Sequence, residues 1–407
     1  MDERISVVHF SNSVDRGGAE EHILTLLRGF DRKHFRLHLV CTPEVAESLR
    51  PDLPSDIPVF PLRLASLTDV AGAWKLAGLL HGLRPQILHS HLFCSSLFAS
   101  PLGWICKVPV ALETPHLREM WRKGWFKSHF VVDRLVGICV DFYIAVSESN
   151  ARYLANDKGL PPEKLVVIHN GCDLTRFSPS AGDGSELRRR LGLDKRNLII
   201  VVPARLEPQK GHRVLIEALP KVLPQFPQVR VVCIGEGSLR TGLEEKVRGL
   251  GLKEIVRFVG FQKNVPEWLV LADLTVLPSL YEGLPLAAIE SLAAARAIVA
   301  TAVDGTPEIV VDGKAGLTVP PDNPERLASA ICTLLRDASL RQRMGTWGRR
   351  WVCEHFSEKQ QVQKTEELYL EALRLRNARR RGQRVKGVPS KAPLGEKLAA
   401  VGGGHGV

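Results

Sequence analysis

The sequence lacks the features that mark several broad classes of protein. Its 407 residues include eight cysteines, and no two of them are spaced as a Cys-x-x-Cys pair. A zinc cluster or a disulfide framework is therefore not expected. No run of about eighteen apolar residues is available to span a bilayer, and the polar start Met-Asp-Glu-Arg is unlike a secretory signal. These absences predict a cytoplasmic chain with reduced thiols.

A dinucleotide fingerprint is also missing. The first strand-like run, residues 5–10, is followed by Gly17-Gly18 and not by Gly-x-Gly-x-x-Gly, which disfavours a nicotinamide-dependent enzyme. Glycines allow a backbone to approach a ligand closely. The pair is therefore either a simple tight turn or part of a binding loop.

Composition and charge indicate a globular chain with a basic end. Hydrophobic residues make up 44% and charged residues 24% of a length that suits two domains. From Arg374 onward, nine Lys or Arg residues face one acid, Glu396, so +8 of the net +11 lies there. We expect this tail to be disordered, with an anionic membrane surface as a second possibility. Nucleic acid is not an expected partner, because no aromatic residues interleave with the basic ones.

Strand-like and helical segments alternate along the chain. Seven apolar runs come first, at residues 5–10, 35–41, 57–60, 87–89, 108–112, 142–146 and 165–168. Six more follow, at residues 198–202, 229–234, 255–259, 274–277, 298–300 and 317–319. This alternation predicts an α/β fold with parallel sheets covered on both faces. We expect two doubly wound, Rossmann-like domains facing across a cleft, where such sheets bind ligands at their strand ends.

The domain boundaries are expected where the composition changes. Residues 178–184 contain Pro, Ser, Gly and Asp and have the character of a linker. The prediction is an N-terminal Rossmann-like domain at 1–180 and a C-terminal Rossmann-like domain at 185–356. A C-terminal helix at 357–376 and the basic tail at 377–407 follow.

The most informative stretch is 278–301. A loop containing Glu282 follows a strand-like run and leads through Pro285 into an Ala- and Leu-rich helix that carries Glu290. Pro suits a first helical turn, and the free N–H groups of that turn favour a phosphate. A phosphate-binding helix start with two acids fits a ligand that joins a diphosphate to sugar hydroxyls.

Five motifs, taken in order, resemble those of the family 4 retaining glycosyltransferases. They are Gly-Gly-Ala-Glu (17–20), His-Asn-Gly-Cys-Asp-Leu-Thr-Arg-Phe (169–177), Ala-Arg-Leu-Glu-Pro-Gln-Lys-Gly (204–211), Gly-Glu-Gly (235–237), and Glu282 with Glu290 after seven intervening residues. The resemblance covers residues 5 to about 370. It implies the two-domain GT-B fold, with acceptor bound by the first domain and nucleotide sugar by the second.

The resemblance implies a donor site in the second domain. It places Arg205 and Lys210 on the donor phosphates, Glu290 on the ribose hydroxyls and Glu282 beside the anomeric carbon. Arg grips phosphate bidentately, whereas Lys acts as a point charge. The remaining donor-binding residues are those of the helix start, Gly283, Leu284 and Pro285. As alternatives, the two basic residues are solvated loop charges and Glu282 is a partner of the helix dipole.

In the first domain the resemblance points to His116 and to the loop of Gly17 and Gly18. His116 follows the strand-like run 108–112 and matches a catalytic residue beside the transferring sugar. The two glycines would clamp donor phosphate or acceptor. A structural histidine and a simple turn are the alternatives.

Two other segments are weighed between a functional and a structural role. His89 and His91 could suggest a metal, but without an acid or Cys at ligand spacing they are expected to be structural. Residues 118–127 contain two Trp, one Phe and four basic residues. That stretch either lies in a membrane interface or packs as a helix with its charges outward.

Two positions depart from the family pattern. Ala204 stands where Gly is common in the phosphate loop, and Ala295-Arg296 replaces a helix end that usually carries Gly. The second change weakens the expected C-cap. Neither removes a side-chain function.

These residues predict a metal-independent transferase that needs no cofactor, and the resemblance implies that it retains the anomeric configuration. A sugar would move from a nucleotide-diphosphate sugar, a UDP-sugar by default, to a glycan or lipid-linked acceptor in polysaccharide or glycolipid synthesis. Fixed cations and helix N–H groups would stabilise the leaving diphosphate in place of a metal ion. The alternatives are a nucleotide-sugar epimerase of the same fold, a phosphorylase and a non-catalytic nucleotide-sugar-binding protein.

Overall fold

The computed structural model describes residues 3–66, 68–118, 129–180 and 184–381. Most of the aromatic and basic stretch 118–127, and the basic tail beyond residue 381, lie outside the described residues. The chain divides into two compact units, Met1–Asn170 with Glu358–Val407 and Gly171–Ser357. Each unit is built on its own parallel sheet.

Seven strands form the sheet of the first unit. They are β1 (Ile5–Ser11), β2 (Phe35–Cys41), β3 (Val59–Pro61), β4 (Ile87–His91), β5 (Val110–Thr114), β6 (Phe142–Ala145) and β7 (Leu165–Val167). Their order is β3-β2-β1-β4-β5-β6-β7, and every neighbouring pair is parallel. Because β1, β4 and β5 are consecutive in this order and parallel, the loops that follow them leave the sheet side by side.

Helices cover both faces of this sheet. Those before residue 170 are α1 (Gly18–Gly29), α2 (Pro43–Leu49), α3 (Val70–Leu83), α4 (Phe93–Ile105), α5 (His129–Val136) and α6 (Glu148–Arg152). Successive residues of β1 face opposite sides, as expected for a strand buried on both faces. Val7 packs in one buried cluster with Ile23 of α1, and Val8 in another with Leu76 of α3.

The second unit has a six-stranded parallel sheet. Its strands are β8 (Leu198–Pro203), β9 (Val229–Ile234), β10 (Val256–Phe258), β11 (Leu274–Leu277), β12 (Ile298–Thr301) and β13 (Gly316–Val319). The order is β10-β9-β8-β11-β12-β13. Its helices are α7 (Ser185–Arg190), α8 (His212–Val222), α9 (Arg240–Gly249), α10 (Val265–Leu271), α11 (Leu286–Ala293), α12 (Thr306–Ile309), α13 (Pro324–Arg336) and α14 (Ala338–His355).

The last helix, α15 (Glu358–Arg380), belongs to the first unit. Its Tyr369 is fully buried, and the ring packs edge-on against Phe30 with centroids 5.4 Å apart. The Tyr369 hydroxyl lies 2.6 Å from Nδ1 of His89 on β4. The segment that the sequence set apart as a C-terminal helix is therefore part of the core of the first unit.

The expected fold class, two doubly wound parallel α/β sheets, is confirmed. Each of the thirteen apolar runs named from the sequence overlaps a strand. None of the helices in the described part of the chain combines the length and apolarity that a membrane crossing requires.

The helix end that lacks the usual glycine adopts a strained conformation. Ala295 follows α11 with φ of +55°, in the left-handed region that costs an L-residue about 1–2 kcal/mol. The backbone at Ala295 packs closely against α14, because a Cβ on Gly345 of α14 would lie only 2.1 Å from the Ala295 carbonyl oxygen. The close approach of α14 to α11 therefore depends on glycine at 345.

Candidate active site

Lys210 and Glu282 form an ion pair in the second unit. They lie in the loops after β8 and β11, which are neighbouring strands. Nζ of Lys210 is 2.6 Å from Oε1 of Glu282, and Ser279 Oγ donates to the same oxygen at 2.7 Å. Glu282 is only 5% exposed. The carboxylate is therefore held in a fixed position by a cation and a hydroxyl.

The two loops are joined to each other by hydrogen bonds to backbone carbonyl groups. The amide of Leu280 donates to the Gln209 carbonyl at 2.7 Å, and Gln209 Nε2 donates to the Tyr281 carbonyl at 3.0 Å. Gly211 has φ of +63°, and a Cβ there would lie 1.9 Å from the Pro278 carbonyl oxygen. Only glycine therefore allows the Lys210 loop to approach the Glu282 loop this closely.

A third strand end supports Glu282. Asp304 follows β12, and its Oδ2 accepts from the Glu282 amide at 2.8 Å. The amide of Gly305 donates to the Gly283 carbonyl at 3.2 Å. Sequence reasoning did not identify Asp304, although an acid three residues after a buried strand is a signal that could have done so.

Arg205 lies in the exposed part of the loop that follows β8. The pKa of nearby Glu207 is lowered by hydrogen bonds from Ser238 and, to a smaller extent, by the charge of Arg205. Gly235 has φ of +141°, and a Cβ there would lie 2.4 Å from the Ala204 carbonyl oxygen. The first glycine of the Gly-Glu-Gly motif thus lets the β9 loop pack against the loop that carries Arg205.

The helix start predicted to hold phosphate is buried. Gly283, Leu284 and Pro285 are all buried, and Pro285 is the N-cap of α11. Glu290 lies on α11 and is half-buried. The first turn of such a helix carries N–H groups without an intrahelical partner. A helix of eight residues that starts beside Glu282 therefore offers donors next to an acid.

His212 was not identified from the sequence. It is the first residue of α8, it is 1% exposed, and neither ring nitrogen has a hydrogen-bond partner among the described residues. Burial, and then the charge of Lys210, lowers its pKa to about 4. The ring is therefore neutral at pH 7, immediately beside the predicted phosphate loop.

In the first unit, Gly17 and Gly18 begin α1. Gly17 is its N-cap with φ of −148°, an extended conformation open to any residue. A Cβ on Gly17 would meet Glu20 Oε2 at 3.6 Å, an ordinary contact. Neither backbone conformation nor packing therefore requires glycine at 17.

His116 lies in a buried chain of histidines. Its Nε2 is 3.3 Å from Nδ1 of His91, and Nε2 of His91 is 3.1 Å from Nδ1 of His9. The His22 ring packs edge-on against His116, with centroids 4.7 Å apart. The three strands β1, β4 and β5 bring His9, His91 and His116 together at their carboxyl ends.

All of these imidazoles are expected to be neutral. Burial, followed by the charges of His22 and His38, lowers the pKa of His9 to about 3. Burial lowers the pKa of His22 to about 4. It is also the main cause of the strong lowering of the pKa values of His91 and His116. The cluster is thus a set of uncharged nitrogen donors and acceptors.

His89 has a different environment from the other members of the cluster. Its Nδ1 contacts the Tyr369 hydroxyl at 2.6 Å and its Nε2 contacts Thr114 Oγ1 at 2.7 Å. Both ring nitrogens are therefore occupied, as expected for a structural histidine. His9 and His22 were not identified from the sequence, because their proximity to His91 depends on the order of the strands.

The fold matches the GT-B class of glycosyltransferases. The structure of the Anabaena protein HepE, in complex with UDP and glucose, has a TM-score of 0.80 at 20% identity. The match covers 90% of this chain and 99% of that chain.

Family models and sequence relatives identify the family. A model described as Glycosyl transferases group 1 matches residues 183–351, and one described as Glycosyltransferase Family 4 matches residues 16–176. The D-inositol 3-phosphate glycosyltransferase of Salinispora arenicola is 31% identical over 71% of this chain and 69% of its own length. That of Streptomyces bingchenggensis is 29% identical over 77% of this chain and 72% of its own length. The chain belongs to the family 4 glycosyltransferases.

Proposed function

We propose that this glycosyltransferase is a retaining, metal-independent enzyme that moves a sugar from a UDP-sugar to a glycan or lipid-linked acceptor. The observation that carries the proposal is the ion pair of Lys210 with Glu282, at 2.6 Å, beside the start of α11. A cation, an acid and helix N–H groups in one place match the parts of a nucleotide sugar.

The donor is proposed to bind the second unit through its diphosphate. Arg205 and Lys210 offset the phosphate charge, and the N–H groups of the first turn of α11, after Pro285, donate to phosphate oxygens. Such fixed donors stabilise charge that develops on a leaving group without reorganisation. The basic groups take the place of a divalent ion, so transfer is expected to continue in excess chelator.

The two acids of this unit are proposed to hold the sugar portions of the donor. Glu290, half-buried on α11, accepts from the ribose hydroxyls. Glu282 accepts from hydroxyls of the transferred sugar. For that role Lys210 must share its charge between Glu282 and phosphate, and a lysine has three donors with which to do so.

UDP is proposed as the nucleotide. The support is the fold likeness to HepE, which was solved with UDP and glucose. The base and the sugar are inferred from this likeness in fold. A thermal-shift screen of nucleoside diphosphates and their sugars tests them, because a ligand stabilises the state that it binds.

The first unit is proposed to serve the acceptor. His116, which is 5% exposed, hydrogen-bonds the transferring sugar, and the Gly17-Gly18 loop clamps donor phosphate or acceptor. Departure of the diphosphate and attack by the acceptor on the same face of the sugar retain the anomeric configuration. A second candidate acceptor is D-inositol 3-phosphate, because the two relatives described above are named D-inositol 3-phosphate glycosyltransferases.

A peripheral membrane location is proposed from exposed apolar side chains on three helices of the first unit. Trp74 on α3 is 75% exposed and Trp104 on α4 is 67% exposed, and Leu135 on α5 is exposed as well. Helix α4 contacts both α3 and α5. Amphipathic aromatic surfaces of this kind favour a membrane interface, and the basic tail adds attraction to anionic lipid.

Co-sedimentation with vesicles tests the membrane proposal. The full chain is expected to bind vesicles containing anionic lipid, and a Trp74→Ser, Trp104→Ser double variant is expected to lose most of that binding. A chain ending at residue 381 shows what the tail contributes. Equal partition of all three proteins would exclude a role in membrane binding for the two tryptophans and for the tail.

Product analysis tests the catalytic proposal. The purified chain is incubated with a UDP-sugar, with and without an acceptor, in buffer containing excess chelator. Transfer is expected only with acceptor, with the anomeric configuration of the donor kept in the product. Turnover of the donor sugar without an acceptor would indicate an epimerase, and binding without any turnover a non-catalytic protein.

A further inference from the structure

We propose that the histidine cluster of the first unit is a binding site for a divalent transition-metal ion of the zinc class, with His22, His91 and His116 as ligands. One ring nitrogen from each of these residues lies within 4.8 Å of the other two. All three side chains are buried. The site lies at the carboxyl ends of β4 and β5, against the first turns of α1.

The spacing of two of the nitrogens already fits a metal. Nδ1 of His91 and Nε2 of His116 are 3.3 Å apart. Two imidazole ligands at a tetrahedral zinc, each about 2.0–2.1 Å from the ion, are about 3.3–3.4 Å apart. The same distance is within reach of a weak N–H···N hydrogen bond. The separation therefore suits an ion between the two rings as well as it suits a shared proton.

His22 supplies the third nitrogen. Its Nε2 is buried and has no hydrogen-bond partner among the described residues, which is costly for a polar atom. Its Nδ1 is already engaged, 2.8 Å from Asn170 Oδ1 and 2.9 Å from Gln361 Nε2. When the ring hydrogen is on Nδ1 and is donated to the Asn170 oxygen, Nε2 keeps a lone pair for a metal, and the Gln361 amide nitrogen then lies beside Nδ1 without donating to it.

Groups behind the ligands support the same arrangement. A histidine that binds a metal usually donates its other ring N–H to an acceptor. His22 has Asn170 in that position, and His91 has Nδ1 of His9 at 3.1 Å from its Nε2. The Asn170 oxygen favours the His22 tautomer in which Nε2 is unprotonated, and His9 Nδ1, acting as an acceptor, allows the matching tautomer of His91.

The chemistry of the ligands selects the ion. Three neutral imidazoles suit Zn²⁺, Cu²⁺ and Ni²⁺, whereas Mg²⁺, Mn²⁺ and Ca²⁺ prefer oxygen ligands. Three protein ligands also leave the fourth position of a tetrahedral ion open. The second triad in the cluster, His9, His89 and His91, is a poorer candidate because both nitrogens of His89 are occupied.

This site changes the expectation that His91 is only structural. The sequence showed only His89 and His91, two positions apart, as a candidate pair. The proposed ligands instead come from one helix and two strand ends. Because His116 is also proposed to contact the transferring sugar, bound Zn²⁺ is expected to inhibit transfer. That consequence rests on the proposed function, but uptake of the metal does not.

Metal binding by the chelator-treated full chain tests the proposal. One equivalent of Zn²⁺ is expected to bind, and Co²⁺ in its place is expected to give the visible absorption of a tetrahedral site. Mg²⁺ is expected to give no response. His22→Gln and His91→Gln are each expected to weaken Zn²⁺ binding by about 100-fold or more, and His9→Phe by about 10-fold through loss of the supporting contact.

His38→Gln is the matched control. His38 is a buried histidine on β2 whose Nδ1 contacts the Val7 carbonyl, outside the proposed triad. Circular dichroism establishes that each variant is folded, and His22→Gln, on a helix, serves if His91→Gln does not fold. Absence of Zn²⁺ uptake by the wild type, or uptake that is equal in the wild type, His22→Gln and His38→Gln, would overturn the proposal.

Discussion

The side chains of Lys210 and Glu282 meet at 2.6 Å although 72 residues separate them in the chain. One belongs to the loop after β8 and the other to the loop after β11. The glycine at 211 allows the contact. Ser279 donates to the carboxylate of Glu282, and Asp304 accepts from its backbone amide. A residue assigned to phosphate and a residue assigned to sugar are thus parts of one charged unit.

Replacing Glu282 is expected to reduce transfer more than it reduces folding. Glu282→Gln keeps the shape of the side chain but removes the charge that Lys210 faces. We expect kcat/KM to fall by about 10²-fold or more, in the range found when one fixed group at a reacting centre is removed. Release of UDP measures the rate.

Glu325→Gln is the control for this substitution. Glu325 also pairs with a lysine, Lys221, but both side chains are exposed. Its rate of transfer should stay near that of the wild type. If Glu282→Gln were equally active, the assignment of Glu282 to the donor sugar would be wrong.

Gly211 should tolerate no side chain. The left-handed backbone alone is expected to cost about 1–3 kcal/mol in Gly211→Ala, and the added Cβ would also overlap the Pro278 carbonyl. We expect a lower free energy of unfolding together with loss of transfer, measured by urea titration and by UDP release. In contrast, Gly242→Ala in α9, where the Cβ meets nothing within 4 Å, should stabilise by up to about 1 kcal/mol. Equal effects of the two variants would contradict the steric account.

Gly17→Ala separates function from stability. The added Cβ makes only an ordinary contact, 3.6 Å from Glu20 Oε2, so the free energy of unfolding should change by about 1 kcal/mol or less. Transfer should nevertheless fall by at least about 10-fold if the loop approaches a ligand through its backbone. Gly78→Ala, which meets nothing within 4 Å in α3, is the control. Unchanged transfer by Gly17→Ala would support the simple-turn interpretation.

His212 should make the second unit sensitive to acid. Its pKa is about 4 in the folded chain, against an ordinary value of 6.5. Between these values the unfolded chain binds a proton that the folded chain does not, so stability falls as the pH falls from about 6.5. The slope for one such group approaches about 1.4 kcal/mol per pH unit.

His212→Leu should remove this part of the pH dependence. At pH 7.5 the variant should be as stable as the wild type or more stable, because it removes a buried polar ring whose nitrogens have no partner among the described residues. The difference should increase at pH 6 and again at pH 5 in urea titrations. Parallel pH dependences in the two proteins would exclude His212 as the cause.

The sheets could be predicted from the sequence because buried parallel strands are short continuous apolar runs. The helices are harder to predict from the sequence. Helix α4 has weak sequence signals, because Pro101 lies inside it and its N-cap Leu92 makes no side-chain cap bond. In contrast, α8 and α13 each bury one apolar face.

The candidate site was predictable only where residues lie close in sequence or match a family motif. Lys210, Glu282 and His116 were proposed as site residues in that way, but their contacts with other residues could not be predicted. The ion pair requires β8 and β11 to be neighbours, and the histidine chain requires β1, β4 and β5 to be neighbours in that order. Strand order follows from the packing of whole helices, and no local pattern encodes it.

The most direct test of the central claim compares UDP with uridine by calorimetry. If Lys210 binds the donor diphosphate, the wild type should bind UDP at least about 100-fold more tightly than uridine, as expected when charge-assisted hydrogen bonds are added. Lys210→Ala should lose most of that preference while its affinity for uridine stays the same. A preference for UDP that is undiminished in Lys210→Ala would show that Lys210 serves only Glu282, and would contradict the proposed donor site.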